Sequence, residues 1–418
     1  MNSQVSSEQG PGRGAAARDT PVKMSSTELK SSLWLASLYA IRMLGLFLVM
    51  PVFALHAANL PGGEDLFWVG LALGVYGLTQ AVLQIPYGAA SDRFGRKPVI
   101  TAGLLVMCAG SIMAALADTV WLLAVARAVQ GAGAVSAAIS ALVADSTRDE
   151  NRSKAMALIG VMIALSYATS LVLGPLMYEH VGLAGMFWFT GAMALVAIAV
   201  LWRCVPDVPR PERRASRGQL AEVMDADLWR LNLGIFVLHL VQMALFVVLP
   251  ARLLVAGLPV GEHWHLYLPV VAVAFLLMLG PMRMAERGGR MKPVFLGGVL
   301  VLMLALAGFA VAPPEFWPLA VLLLLFFVGF NLLEAMLPSL VSRLAPASSR
   351  GLALGIYSTS QSLGLFAGGA LGGLLLKHLG DRGVFITAFL CLVLWFALAR
   401  SARRWPASVA PALNRQGE

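Results

Sequence analysis

Charge is scarce in this chain. Only 13% of its 418 residues are Asp, Glu, Lys or Arg, about half the share in a typical soluble protein, so a water-soluble fold is excluded. Cysteine is scarcer still. Cys108, Cys204 and Cys391 lie within or at the ends of apolar stretches. Their spacing suits neither a disulfide nor a metal, and they read as small packing residues. There is no Walker-type phosphate loop, so ATP is not the direct energy source. The apolar stretches hold no Ser/His/Asp set, metal-ligand cluster or His-rich motif, which argues against a membrane enzyme and against any cofactor or metal. Residues 1–32 lack the apolar core of a cleavable signal peptide and read as a disordered cytoplasmic tail.

What the chain has in abundance is apolar sequence: 59% of its residues are hydrophobic, with a mean hydropathy of +0.78. About twenty apolar residues cross a bilayer as a helix. Twelve such segments are expected, at 34–58, 67–90, 98–117, 121–144, 154–177, 183–204, 229–255, 264–283, 293–312, 316–340, 351–376 and 383–404. Helices are required because backbone polar groups in lipid must bond within their own segment. The alternating short strands of a barrel are missing.

The net charge of +9 is distributed by side. One set of loops carries Arg93, Arg96, Lys97, Arg148, Arg152, Lys154, Arg210, Arg213, Arg214, Arg217, Arg283, Arg287, Arg290, Lys292, Arg343 and Arg350. The opposite set carries only Arg252, Lys377 and Arg382. The rich side is expected to be cytoplasmic, and an even number of spans places both termini there. The basic charge is therefore a topology signal and not a nucleic-acid surface.

The longest internal polar stretch, 205–228, separates six spans (33–204) from six more (229–405), with a short tail at 406–418. Between the second and third spans lies Gly88-Ala89-Ala90-Ser91-Asp92-Arg93-Phe94-Gly95-Arg96-Lys97, read as a charged loop. A weaker echo, Glu286-Arg287-Gly288-Gly289-Arg290, occupies the matching place in the second half. The pattern predicts an all-α integral membrane protein built from two pseudo-symmetric bundles of six helices, with a substrate site where the halves meet.

These motifs resemble those of the major facilitator superfamily, over nearly the whole chain. The family's Gly-x-x-x-Asp-Arg-x-Gly-Arg-Lys signature is met by Gly88, Asp92, Arg93, Gly95, Arg96 and Lys97. Its fourth-span pattern is met by Arg127, Gln130, Gly131 and Gly133. The fifth-span pattern of drug:proton antiporters is met at Gly174-Pro175, but Tyr178 and Glu179 stand where glycines are usual. Within the family, four stretches resemble a bacterial inner-membrane transporter: Arg42-Met43-Leu44-Gly45, Tyr76-Gly77-Leu78-Thr79-Gln80, Asn331-Leu332-Leu333-Glu334 and Tyr357-Ser358-Thr359-Ser360-Gln361. That relative has a small soluble domain after its last span, which this sequence is read as lacking.

Charged side chains inside a bilayer are costly and usually face a cavity or a partner. Arg42, Arg127 and Glu334 are the formal charges well inside the predicted spans, and the titratable His239 joins them. They fall on spans 1, 4, 10 and 7, which in the superfamily line the central cavity. Glu334 is the only acid deep in a span. It is expected either to bind and release a proton or to form a fixed pair with an arginine or Asn331. Arg42 lies roughly 12 Å into its predicted span at about 1.5 Å per residue, and either recognises an anionic substrate group or pairs with Glu334. Arg127 belongs to a motif linked in the family to proton transfer, with an ion pair that packs helices as the alternative. Gln242 shares a helix face with His239.

Tyr76, Gln80 and Gln84 form one polar stripe on span 2, facing either substrate or a neighbouring helix. Tyr357 and Gln361 open a helix that continues as a ridge at Gly364, Gly368 and Gly372, which permits close helix approach. In the superfamily the acid of the signature, here Asp92, meets the start of span 11, and Arg96 would pair with Asp145. Together these would latch the halves on the cytoplasmic side.

The resemblance implies a monomeric, proton-coupled antiporter in the bacterial inner membrane. It would export small amphipathic or hydrophobic compounds, with substrate, protons and lipid as its partners. A proton symporter importing an anionic or polar metabolite is the alternative. A non-transporting sensor would be expected to carry a soluble output domain, and none is visible.

Overall fold

The structure, a computed structural model, describes residues 24–133, 135–207, 223, 225–287, 289–346, 349–402 and 405. The tails 1–23 and 406–418 lie outside it, as does most of the 205–228 stretch with Arg210, Arg213, Arg214 and Arg217. The described residues are helical almost throughout. α1 comprises Ser26–Phe47 and Met50–Ala58, α2 is Leu66–Phe94, α3 is Arg96–Ala115, and α4 comprises Val120–Ala132 and Ser136–Asp145. α7 is Ala226–Val255, α8 Trp264–Arg287, α9 Met291–Val311 and α10 Phe316–Leu344.

Two stretches, Asp149–Cys204 and Arg350–Arg400, run on as 56 and 51 helical residues. A straight helix of that length would measure roughly 80 Å, against a hydrocarbon core of about 30 Å. Each reverses at one glycine. Gly182 has φ 63° and Gly380 has φ 67°, a left-handed conformation that costs only glycine nothing. On either side of Gly182, Gly174 and Thr190 both pack against residues 45–51 of α1. The stretches therefore divide into α5 (149–181), α6 (183–204), α11 (350–379) and α12 (381–400). The ten long apolar segments become twelve spans, and the same device recurs at the same place in each half.

Two expectations need correcting. Residues 24–32 are not a disordered tail, because α1 begins at Ser26. Ser25 Oγ accepts from Glu28 N at 3.1 Å while Glu28 Oε2 accepts from Ser25 N at 2.8 Å, a capping box that closes the helix end. Glu28 is also gripped by Arg148, whose Nε and Nη2 donate to its two oxygens at 2.8 and 2.9 Å. Arg42 consequently lies about 24 Å from the start of its helix and not 12 Å. The signature segment, secondly, is scarcely a loop. α2 continues through Gly88, Asp92 and Arg93 to Phe94, α3 begins at Arg96, and Gly95 alone (φ 99°) makes the turn. The echo turns at Gly289, also with positive φ.

Large apolar side chains such as Val161, Leu276 and Leu394 are more than half exposed, the outer surface of a protein solvated by lipid. α1 and α7 are the most deeply enclosed helices. The halves meet most closely where α2 crosses α11. A methyl group added to Gly70 would lie 2.3 Å from the Gly369 carbonyl oxygen and 2.7 Å from Gly373 Cα, and one on Gly77 would lie 2.4 Å from the Ser362 carbonyl oxygen. The expected ridge of Gly364, Gly368 and Gly372 packs instead against Phe236, Leu240 and Ala244 of α7, within its own half. The contact between halves belongs to Gly369 and Gly373, one helical position further round.

At the end of the molecule away from the signature segment, further contacts join the halves. Asp65 caps α2 through Phe67 N at 3.0 Å and pairs with Lys377 of α11 at 2.8 Å. The Lys377 ammonium holds the Asp65 carboxyl below the usual carboxylate range. Glu179 of α5 rests against Gly261, just before α8. At the signature end the halves stand apart. Methyl groups added to Gly351 or Gly355 of α11 would meet nothing within 4 Å, and one on Gly88 would meet only Ala137 of its own half. A cleft between the bundles thus opens at the basic end and is closed at the other.

Candidate functional site

The four intramembrane groups singled out in the sequence do not form one cluster. They divide among three places. In the first half, Arg127 is buried against aromatic faces, its guanidinium carbon 4.9 Å from the Tyr76 ring centre and 5.7 Å from that of Phe53. Arg127 Nη1 donates to Gln130 Oε1 at 2.7 Å, and Gln130 Nε2 donates to Ser111 Oγ at 2.7 Å. Arg127 thus has one neutral oxygen and two π-faces, its Nε is unpartnered, and among the described residues no acid pairs with it. The stripe Tyr76, Gln80 and Gln84 is buried, with the Tyr76 hydroxyl and both glutamine Oε1 atoms unpartnered.

In the second half, His239, Glu334 and Gln361 come together from α7, α10 and α11. His239 Nδ1 lies 3.2 Å from the Ile235 carbonyl oxygen, which can only accept, so Nδ1 carries the proton. Nε2 is then an acceptor, facing Gln361 Nε2 at 2.8 Å. The same Gln361 amide donates to Glu334 Oε1 at 3.3 Å. The second carboxylate oxygen, Oε2, is enclosed and unpartnered, 3.8 Å from His239 Nε2. Gln361 therefore bridges a neutral imidazole and a carboxyl group. A proton arriving at His239 Nε2 could be held there only after the amide turned, whereas Glu334 Oε2 can take one with the amide in place.

Sequence reasoning missed Tyr167. This α5 side chain reaches across from the other half, its ring 4.9 Å from Phe47 of α1 and 6.0 Å from Phe330 of α10. Its hydroxyl lies within electrostatic reach of Gln242, Tyr267 and Glu334. Tyr357 also faces Glu334. The signal was available, since tyrosine is scarce here (seven residues) and a buried tyrosine usually brings its hydroxyl to a polar partner. Asn331 Nδ2 and Gln242 Oε1 end unpartnered in the same interior, and no Glu334–Asn331 bond forms.

Arg42 occupies the third place alone. It is fully buried. Neither Glu334 nor any other described acid pairs with it, so the anticipated Glu334–Arg42 pair is not formed in this structure.

The signature segment does bring together what the resemblance implied for Arg96. Its Nε donates to Asp145 Oδ2 at 2.8 Å and its Nη1 to Ser91 Oγ at 2.6 Å. Asp92 is 63% exposed in its side chain and pairs with Arg96, one turn along, without reaching α11. Lys97 pairs with Asp207 at 2.7 Å. At the departure from the antiporter pattern, the Tyr178 hydroxyl lies 3.1 Å from His56 Nδ1, tying α5 to α1 at the closed end.

The chain matches the Major Facilitator Superfamily over residues 35–280 and again over 231–416. It belongs to that superfamily. This member is 41% identical to the inner membrane transport protein YajR of Escherichia coli (strain K12), over 92% of this chain and 86% of that protein. It is 29% identical to the multidrug resistance protein MdtH of Aeromonas hydrophila, over 79% and 84%. Among solved structures it resembles a bacterial homologue of the human lysosomal transporter Spinster, captured inward-facing and occupied, with a TM-score of 0.72, 15% identity and coverage of 92% and 100%. It also resembles the human organic anion transporter MFSD10, with a TM-score of 0.67, 18% identity and coverage of 90% and 100%. The superfamily protein described here is a multi-pass membrane transporter, and its relatives and fold neighbours are transporters and not enzymes.

Proposed function

We propose that the protein is a monomeric, proton-coupled antiporter of the bacterial inner membrane that exports small amphipathic or hydrophobic compounds. The basic end faces the cytoplasm, with both termini, so the cleft of this structure opens inward. The observation that carries this reading is Glu334. It is the one acid deep in the spans, it keeps a free oxygen beside His239, and it is watched across the cleft by Tyr167 of the other half. Rocking the halves would change what surrounds that carboxyl and so its hold on a proton. One charge crossing the membrane supplies about 2.3 kcal/mol per 100 mV, enough to drive expulsion. The buried, unpaired Arg42 favours a second reading, symport of an anionic metabolite.

Proteoliposomes carrying an internal pH dye separate the two. For the antiporter, amphipathic substrates and protons move in opposite directions. Movement in the same direction would establish the symporter, and no substrate-dependent proton movement across a broad panel would reject both.

The signature segment supplies the switch in this scheme. Asp92 is free of α11 here, and in the outward-open state it would accept from the backbone N–H groups at the start of α11, where an anion is favoured by about 0.3–1 kcal/mol or more. Arg96, already held by Asp145, would keep Asp92 in position. The variant Asp92→Asn should therefore raise the inward-open population, read from spin-label distances between α2 and α11 at the basic end. An unchanged distance distribution rules the latch out.

A further inference from the structure

Three arginines are buried among the described residues: Arg42, Arg127 and Arg252. Two have answers to their charge. Arg252 grips Asp381 Oδ2 with Nε at 2.8 Å and Nη2 at 2.6 Å, and Arg127, though its Nε is unpartnered, has the Gln130 oxygen and two aromatic faces. Arg42 is fully enclosed, yet its Nε and Nη2 have no partner. Its Nη1 reaches only the Met43 sulfur at 3.9 Å, and the Tyr39 ring lies 5.4 Å from its guanidinium carbon. A guanidinium carries its charge throughout the working pH range, and an uncompensated buried charge is strongly unfavourable.

The two vacant donors are a specific pair. Nε–H and the adjacent Nη2–H form the side-on edge of the guanidinium fork, which takes the two oxygens of a carboxylate in parallel. This chain uses that edge in full in Arg148 on the two oxygens of Glu28, whereas Arg252 turns the same two nitrogens on the single oxygen Oδ2 of Asp381. At Arg42 the fork is formed and no described acid fills it.

We propose that Arg42 is the anion-binding subsite of the transported compound, so that the substrates are small amphipathic carboxylates. The proposal deepens the transport reading above and rests on it for the identity of the ligand as cargo. It does not depend on the direction of transport or on Glu334.

The test is binding without a gradient, in nanodiscs of zwitterionic lipid that offer no competing anionic headgroup. A panel of aryl and alkyl carboxylates, led by naphthalene-2-carboxylate, is compared by calorimetry with the matching neutral amides. In the wild type at least one carboxylate should bind more than tenfold tighter than its amide, as expected of a charge-assisted pair. Arg42→Met should abolish that preference while leaving amide binding in place. Arg42→Lys, which keeps the charge and loses the fork, should fall between them. Equal binding of carboxylates and amides by the wild type overturns the proposal, as does a panel in which no carboxylate binds. So does an Arg42→Met protein that keeps the wild-type preference. The wild-type comparison stands even if Arg42→Met fails to fold. A carboxylate preference without substrate-linked proton flux would retain the anion subsite and reject proton coupling, so the two readings fail separately.

Discussion

Replacing Glu334 by glutamine is expected to reduce substrate-linked proton movement to the level of protein-free liposomes. The substitution keeps the side chain's volume and its contact with Gln361, whose amide now meets Glu334 Oε1 at 3.3 Å. It removes only the capacity to gain and lose a proton. A carboxyl group on α10 with one oxygen enclosed and unpartnered and a neutral imidazole 3.8 Å away suits that exchange, because each movement of the halves alters its desolvation and its neighbours. If Glu334 were instead a structural lock, the glutamine variant would lose stability and keep its coupling. The deciding measurement is proton flux per substrate in the variant, with a thermal unfolding curve on the same preparation. Undiminished coupling rules out the proton role. Downhill substrate exchange should survive, since neither the Tyr167–Phe47–Phe330 contact nor Arg42 is touched.

The second large effect is expected at the crossing of α2 and α11. In Gly369→Leu the new Cβ would lie 2.6 Å from the Gly70 carbonyl oxygen and 2.8 Å from Gly74 Cα and N. These are backbone atoms of a continuous helix and cannot turn aside as a side chain could. The helices must separate, which opens the end now held shut and breaks the geometry of the Lys377–Asp65 pair. Transport should fall to background, and spin labels at the adjoining ends of α2 and α11 should move several ångströms apart. Gly355→Ala is the control. It lies on the same helix at the open end, a methyl there meets nothing within 4 Å, and the cleft at the basic end should be unmoved. Unaltered distances in Gly369→Leu would show that this crossing does not set the closed end.

The remaining contacts at the closed end explain how a departure from a family pattern can be accommodated. Tyr178 and Glu179 stand where the fifth-span motif of antiporters usually has glycines. A tyrosine there could have obstructed packing. Instead its hydroxyl meets His56, and Glu179 extends to Gly261 at the approach to α8. The motif's early glycine still acts as a close-approach residue, since a methyl on Gly174 would lie 2.5 Å from the Leu48 carbonyl oxygen, beside the break between the two segments of α1.

Span number, helical character and the internal repeat were all legible in the sequence, because each rests on a local requirement. A backbone in lipid must satisfy itself within one segment, so an apolar run of sufficient length is a helix whatever its neighbours are. The charged breaks at the signature segment and its echo were legible too, but not that one glycine of positive φ, Gly95 and Gly289, makes each turn. Intramembrane charges announced themselves by cost. Their partners were not legible, since pairing depends on how twelve helices rotate against one another. His239 found Gln361 from α11, Arg127 found Gln130 on its own helix, and Arg42 found no acid. Tyr167 entered the site only because α5 turns it towards α10. Which glycines of α11 join the halves was decided in the same way. Gly368 and Gly369 are adjacent in sequence, yet a rotation of about 100° per residue sends one towards α7 and the other towards α2, and only the packed structure determines which is which.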